Sequence, residues 1–334
     1  MRRHRFGNTD LDVSVIALGC YGMSGVYGAA DDAESIATIR HALDLGINLI
    51  DTSASYGKNG HNHSLIREAI RGRRDEVIIH SKSGSPPENG VDTVRGGGTP
   101  AYLRKICEES LKNLGIESLD VFCMSRVDPN VPVEESVVGM AELVKEGKTR
   151  FIALSEASAD SLRRGNAVHP LASLQMEYSL FSRDAEAQGQ IAACNELNMA
   201  LMAYGVLGRG FLTNLTLRAE TMAAGDIRAG LPRFQAGNVE KNIALRSALE
   251  EFAQRRNATL AQFATAWTIA RGEQAGTFII PTVGAKSRRH LEENIKAAEL
   301  QLAVEELAKI DRLVPFAAAA GTRYSADKMQ RLNI

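Results

Sequence analysis

NLIDTSASYGKNGHNHSLIREAIRGRRDEVIIHSK, residues 48–82, decides the fold. NLIDT (48–52) is a short apolar run that ends on Asp51 and Thr52. VIIHS (77–81) is a second such run, followed at once by Lys82. Between them, residues 63–71 place Leu65, Ile66 and Ile70 at helical spacing. Strand, amphipathic helix and strand form the repeating unit of a parallel sheet, because parallel neighbours need a crossover connection.

The same unit recurs on both sides. VIALG (15–19) precedes a helix over 33–45. Residues 77–81 lead into a helix over 101–114, where Leu103, Ile106, Cys107, Leu111 and Leu114 share a face. Residues 119–124 precede a helix over 133–145, with Pro132 before its start and Gly147 past its end. Further strands are expected at 150–154, 171–176, 200–204 and 277–280, each followed by a helix: from 158 or 159, over 185–197, over 260–270 and over 288–298. Eight such units in succession predict an α/β fold, a (β/α)8 TIM barrel, with an open doubly wound sheet as the alternative. Residues 3–14 read as a hairpin beneath the barrel floor. Residues 84–100 and 208–240 read as long loops at the C-terminal mouth, where barrels carry their active sites. No composition break marks a second domain, so residues 1–334 read as one.

Composition excludes several classes of function. Hydrophobic residues make up 44% and charged residues 24%, as in ordinary globular proteins. With 39 basic and 40 acidic residues the net charge is −1, which gives no support for nucleic acid or an anionic membrane as the main partner. No apolar run is long enough for a transmembrane helix. No signal-peptide core follows the basic Met1–Arg5 stretch, so the expected location is the cytoplasm. Cys20, Cys107, Cys123 and Cys194 are too far apart for a zinc site and are expected as reduced, buried thiols. The histidines do not cluster at ligand spacing, and no metal is expected. No Gly-x-Gly-x-x-Gly follows the first strand, and GRGFL (208–212) lacks the Lys-Ser/Thr of a P-loop. Trp267 falls on the apolar face of its helix and is expected in the core.

In a barrel, Asp51, Tyr56 and Lys82 converge at one mouth. An ammonium beside a phenol favours the phenolate and lowers its pKa, and a carboxylate holds the ammonium in place. Such a phenol can protonate a carbonyl oxygen as hydride arrives at carbon. A rim ion pair with an incidental tyrosine fits the strand positions equally well. His63, in the same unit, lies near enough to matter. Residues 284–294 follow the eighth strand and open the eighth helix, an anion-binding place by its amides and dipole. Lys286, Arg288 and Arg289 add positive charge there, which favours a 2′-phosphate and hence NADPH over NADH; an ordinary basic patch on a helix start is the alternative.

DTSASYG (51–57), HSKSG (80–84), LDVFCMSRVDPNVPVEESV (119–137), LVKEGKTRFIALSEAS (143–158), LQMEYSLFSRD (174–184), AYGVLGRGFL (203–212) and IIPTVGAKSRRHLEEN (279–294) resemble, in order, the sequence blocks of the aldo-keto reductases. The resemblance runs from residue 4 to about 325 and is closest to the bacterial, fungal and plant branch that also reduces pyridoxal. It implies NADPH-dependent reduction of an aldehyde or ketone. Asp51, Tyr56 and Lys82 would be three members of the catalytic tetrad, with Tyr56 the proton donor. Ser155 and Gln175 would hold the nicotinamide carboxamide, and Tyr204 would stack on the ring. Gly205, Val206 and Leu207, with Arg209 and Gly210, would line the pyrophosphate. Gly284, Lys286, His290, Glu293 and Asn294 would surround the adenosine.

Three departures from the family pattern stand out. The tetrad histidine is replaced by Ser125, in MSRVDP, and strand alternation would aim the adjacent Arg126 to the opposite side. A serine is a shorter, weaker donor, so Ser125 implies an intrinsically reactive substrate, a pocket enlarged for a bulky one, or a cofactor-binding protein that has lost full reductase activity. Tyr-Gly-Val-Leu (204–207) stands for the family's Tyr-Ser-Pro-Leu. Glu156 occupies a position where many members carry Asn or Arg. A Schiff-base enzyme using Lys82 is a rival, weakened by the adjacent Asp51. The expected partner is a small carbonyl compound; oligomeric state is left open.

Overall fold

The computed structural model describes residues 1–84, 97–213 and 218–334, and the backbone of two paired two-residue strands at 87–88 and 91–92. Most of the loop expected at 84–100, and residues 214–217 of that expected at 208–240, lie outside the described side chains.

Eight parallel strands close into a barrel: Ala17–Gly19, Leu49–Ser53, Ile78–Lys82, Leu119–Met124, Thr149–Ser155, Leu171–Glu177, Ala200–Tyr204 and Ile279–Gly284, the last pairing with the first. The crossover helices start where local chemistry lets them. Asp31 accepts the Glu34 amide at the start of Asp32–Asp44. Thr99 caps Pro100–Leu114, whose Pro100 needs no hydrogen-bond partner at a helix start. Ser158 caps Ala159–Val168, and Thr259 with Gln262 forms a reciprocal capping box on Leu260–Ala275.

Three elements differ from the sequence reading. The helix expected over 185–197 is two pieces, Asp184–Ala187 and Gln190–Glu196, because Gly189 adopts φ 82° between them. The eighth strand runs to Gly284 rather than ending at residue 280. The long connection before Leu260 contains a helix, Asn238–Gln254.

The hairpin is present: Arg3–Arg5 pairs antiparallel with Asp12–Ser14. Its Phe6, Leu11 and Val13 plug the barrel from below, against Leu49, Val121, Ala153, Met202 and Ile280. The turn fits only because residue 7 is glycine. Its φ is 56°, and a Cβ there would lie 2.5 Å from the Ala172 carbonyl oxygen. A larger core fills the layer between strands and helices and includes Trp267, which is fully buried.

Candidate active site

The strand register brings the C-terminal ends level. Gly19 pairs with Asp51, Ser53 with Lys82, Lys82 with Cys123, Ser155 with Gln175, and Glu177 with Tyr204. Above them opens a cavity of about 1540 Å³. The four tetrad positions and all the residues expected to hold the carboxamide, ring, pyrophosphate and adenosine line it; His63, Arg288 and Arg289 do not. A smaller cavity of about 970 Å³ lies at the opposite end, among Arg74, Asp120 and Arg150, which pair with one another.

Asp51 is the hub of the barrel end. Its Oδ1 accepts from Lys82 Nζ at 2.5 Å and from Gln175 Nε2 at 2.7 Å, and His80 Nδ1 lies 3.4 Å away. Burial pushes the Asp51 carboxyl up, but Lys82 and His80 outweigh it and hold it below its usual range. Burial keeps His80 neutral, its pKa lowered. Gln175 thus spends its amide nitrogen on Asp51 and leaves its oxygen for a donor in the cavity.

Tyr56 lies in the turn after the second strand, its ring 4.5 Å from that of Tyr21. Lys82 Nζ stands 4.9 Å from the Tyr56 ring centroid and makes no hydrogen bond to its hydroxyl. The expectation that Lys82 lowers the Tyr56 pKa is therefore corrected. Burial, then Asp51, pushes the phenol well above its ordinary range. Lys82 is itself paired with Asp51 at 2.5 Å. The positive charge that does pull the phenol down is Arg126.

Arg126 is the second correction. The fourth strand stops at Met124, so alternation no longer governs residues 125 and 126. Arg126 turns into the cavity and donates to the Ser125 carbonyl at 2.5 Å and to Ser155 Oγ at 3.3 Å. Ser125 Oγ accepts the Gly84 amide at 2.7 Å, which leaves its own proton free to be donated. His63 is fully buried on Ser81 Oγ at 3.1 Å and does not line the cavity.

At the end of the cavity expected to take the cofactor the residues converge, with two qualifications. Arg209 (φ 56°) commits its guanidinium to Glu177 at 2.9 Å and to the Tyr324 hydroxyl at 2.7 Å. It shapes the wall more than it offers a free charge. At the eighth helix, Glu34 accepts the Arg288 amide at 3.0 Å and pairs with its guanidinium at 2.8 Å. Neither Arg288 nor Arg289 lines the cavity, so the positive charge facing it there comes from Lys286, with His290 beside it.

The donor set fits a nicotinamide dinucleotide. At about 1540 Å³ the cavity is large enough for a dinucleotide beside a substrate. Ser155 and the Gln175 oxygen present an amide-recognising pair, and the buried Thr282 hydroxyl on the same wall has no partner.

A third cluster was not legible in the sequence. Glu156 has φ 54°, uncommon outside glycine, and its carboxylate is buried. It accepts from Arg323 at 2.9 and 3.1 Å, from the Tyr204 hydroxyl at 2.6 Å and from the Glu177 amide at 2.9 Å. Burial is outweighed by Arg323 and then Arg126, which hold the carboxyl below its usual range. The Asn333 amide donates to the Glu156 carbonyl at 2.8 Å, and Tyr324 stands 3.1 Å from Tyr204, hydroxyl to hydroxyl. The segment from Arg323 onward is thereby tied across the mouth and lines it with Tyr324, Lys328 and Leu332.

The family profile described as "Aldo/keto reductase family" matches residues 15–315. The chain belongs to the aldo/keto reductase family. It is 35% identical over 322 residues to "Probable aldo-keto reductase 1" of Glycine max, covering 96% of this chain and 91% of that one. Among solved structures it resembles the glycerol dehydrogenase AKR11B4 from Gluconobacter oxydans, with 29% identity, TM-score 0.81, and 93% and 94% of the two chains covered. The aldo-keto reductase AKR11C1 from Bacillus halodurans shares the fold, with TM-score 0.77, 22% identity, and 98% and 99% coverage. As an aldo/keto reductase, the chain is an NAD(P)-dependent oxidoreductase acting on carbonyl compounds.

Proposed function

We propose that this enzyme reduces an aldehyde or ketone with NADPH and that Tyr56 delivers the proton, in the manner of the pyridoxal-reducing branch. The observation that carries the reading is that the Tyr56 ring lies 4.9 Å from Lys82 Nζ of the Asp51–Lys82 pair, all three lining the cavity. The bound nicotinamide supplies hydride to the carbonyl carbon. Tyr56, kept protonated by burial, breaks its O–H bond as the carbonyl oxygen takes the proton. The Arg126 charge then favours the phenolate left behind. Ser155 and Gln175 would hold the carboxamide, Tyr204 would meet the ring, and Gly205 to Leu207 with Arg209 and Gly210 would line the pyrophosphate. Gly284, Lys286, His290, Glu293 and Asn294 would surround the adenosine.

Near-ultraviolet absorbance of NADPH, followed with a panel of aldehydes and ketones, tests the reading. Carbonyl-dependent consumption is expected, with NADPH preferred to NADH. Absence of NADPH binding at micromolar concentration refutes it.

A second reading, cofactor binding with weak turnover, is favoured by Ser125 alone, because no imidazole donates to the carbonyl oxygen. Here Ser125→His is the informative variant. Restoring a positioned donor is expected to raise kcat by about 10- to 100-fold. An unchanged kcat would show that the carbonyl oxygen already has its donor.

A further inference from the structure

The charges around the cavity mostly cancel in pairs. Lys82 meets Asp51, Arg209 meets Glu177, Arg228 meets Asp226 and Arg323 meets Glu156. Arg126 is different. Among the described residues it has no carboxylate partner, and its hydrogen bonds, to the Ser125 carbonyl and Ser155 Oγ, both use Nη1. Glu156, the acid whose field it feels most, is already held bidentate by Arg323. Nε and Nη2 of Arg126 therefore remain for whatever enters. A partly buried guanidinium without a counter-ion carries a desolvation cost that an oxyanion relieves. Its planar fork matches a carboxylate in two parallel bonds.

The position of this charge matters as much as its freedom. Arg126 follows Ser125 at the end of the fourth strand and touches Ser155, so it flanks the place where the nicotinamide and carbonyl meet. It lines the same cavity as Tyr56. One such guanidinium, with Asp51 and Glu156 not far off, suits a monoanion better than a dianionic phosphate ester. Tyr21, Tyr27, Tyr204 and Tyr324 supply flat walls on the same cavity.

We propose that Arg126 receives a carboxylate of the substrate, so that the enzyme acts on oxo acids and aldehyde acids in preference to neutral carbonyl compounds. The inference rests on the reductase reading for its chemistry, but the anion site is separable from it.

The test compares 4-carboxybenzaldehyde with its methyl ester under NADPH, in wild type, Arg126→Gln and Arg126→Lys. The acid is expected to exceed the ester in kcat/KM by about 10²-fold in wild type, the scale on which loss of a charged hydrogen-bond partner is felt. Arg126→Gln is expected to bring that ratio near unity, and Arg126→Lys to leave it in between. Any change in turnover common to both substrates cancels in the ratio.

A second arm needs no turnover. Calorimetry with 4-(hydroxymethyl)benzoate, the product acid, should show binding to wild type and at least about 10-fold weaker binding to Arg126→Gln. Equal wild-type values for acid and ester overturn the inference, as does a ratio that survives in Arg126→Gln. A loss shared equally by acid and ester also overturns it, since Arg126 would then serve the carbonyl oxygen or the local bend. If no carbonyl is reduced yet the product acid binds through Arg126, the anion site stands and the reductase reading falls.

Discussion

Tyr56→Phe lowers kcat for carbonyl reduction by about 10³-fold while NADPH still binds, the size expected for loss of a positioned general acid. The substitution removes one oxygen and keeps the ring, whose contact with Tyr21 at 4.5 Å does not need the hydroxyl. Lys82 and Asp51 keep their own bond, so the floor of the site stays intact. Fluorescence titration with NADPH separates the two effects. The phenol's direction of shift gives a companion signature. Because burial and Asp51 hold it well above its ordinary range, the proton needed for reduction is present at neutral pH and stays on as pH rises past 10. The reduction rate should therefore show no alkaline decline from this group below its raised pKa. A Tyr56→Phe enzyme within 10-fold of wild type would remove the phenol from the mechanism.

Glu156→Ala destabilises the fold by about 3–5 kcal/mol, the cost of stranding a buried charge. Arg323 has a side chain only 5% exposed and would keep Asp184, at 3.5 Å, as its remaining ion-pair contact, with the field of Glu177 beside it. The Tyr204 hydroxyl and the Glu177 amide would lose an acceptor as well. Part of the loss is offset, because alanine in place of glutamate changes nothing about the φ 54° backbone but removes a desolvated carboxylate. Urea unfolding measures the total, and limited trypsin digestion locates it, with cleavage after Arg323 and Arg331 appearing early in the variant. Adding Arg323→Met to Glu156→Ala should recover a substantial share of the stability, since the double variant strands no charge. A double variant as unstable as the single one would mean that the tail is held by its other contacts.

The barrel was legible because each strand-helix unit carries its own signal. The apolar runs are short, the caps are Asp, Thr and Ser, and residues 119–124 and 200–204 are strands with the bounds the sequence suggests. What escaped has local causes. The eighth strand continues past Pro281, a residue that argues against a strand, because a parallel barrel still pairs Pro281 with Ala203. Asn238–Gln254 buries few residues, Val239, Leu249 and Ala253 among them, so its apolar stripe is thin. The catalytic and cofactor candidates could be placed because they sit at strand ends or in the loops just after them. Arg126 could not, since its direction depends on where a strand stops. The partner of Glu156 lies 167 residues away, and no spacing rule reaches that far.

The wall built by Tyr324, Lys328 and Leu332 stands outside the barrel's hydrogen-bonded frame, yet it borders the space a substrate would fill. Lys328 and Leu332 are therefore the inexpensive places to randomise when reshaping substrate scope: variants there can redraw the entrance without disturbing a strand, provided the Arg323 anchor and Tyr324, which holds Arg209 and Tyr204, are left alone.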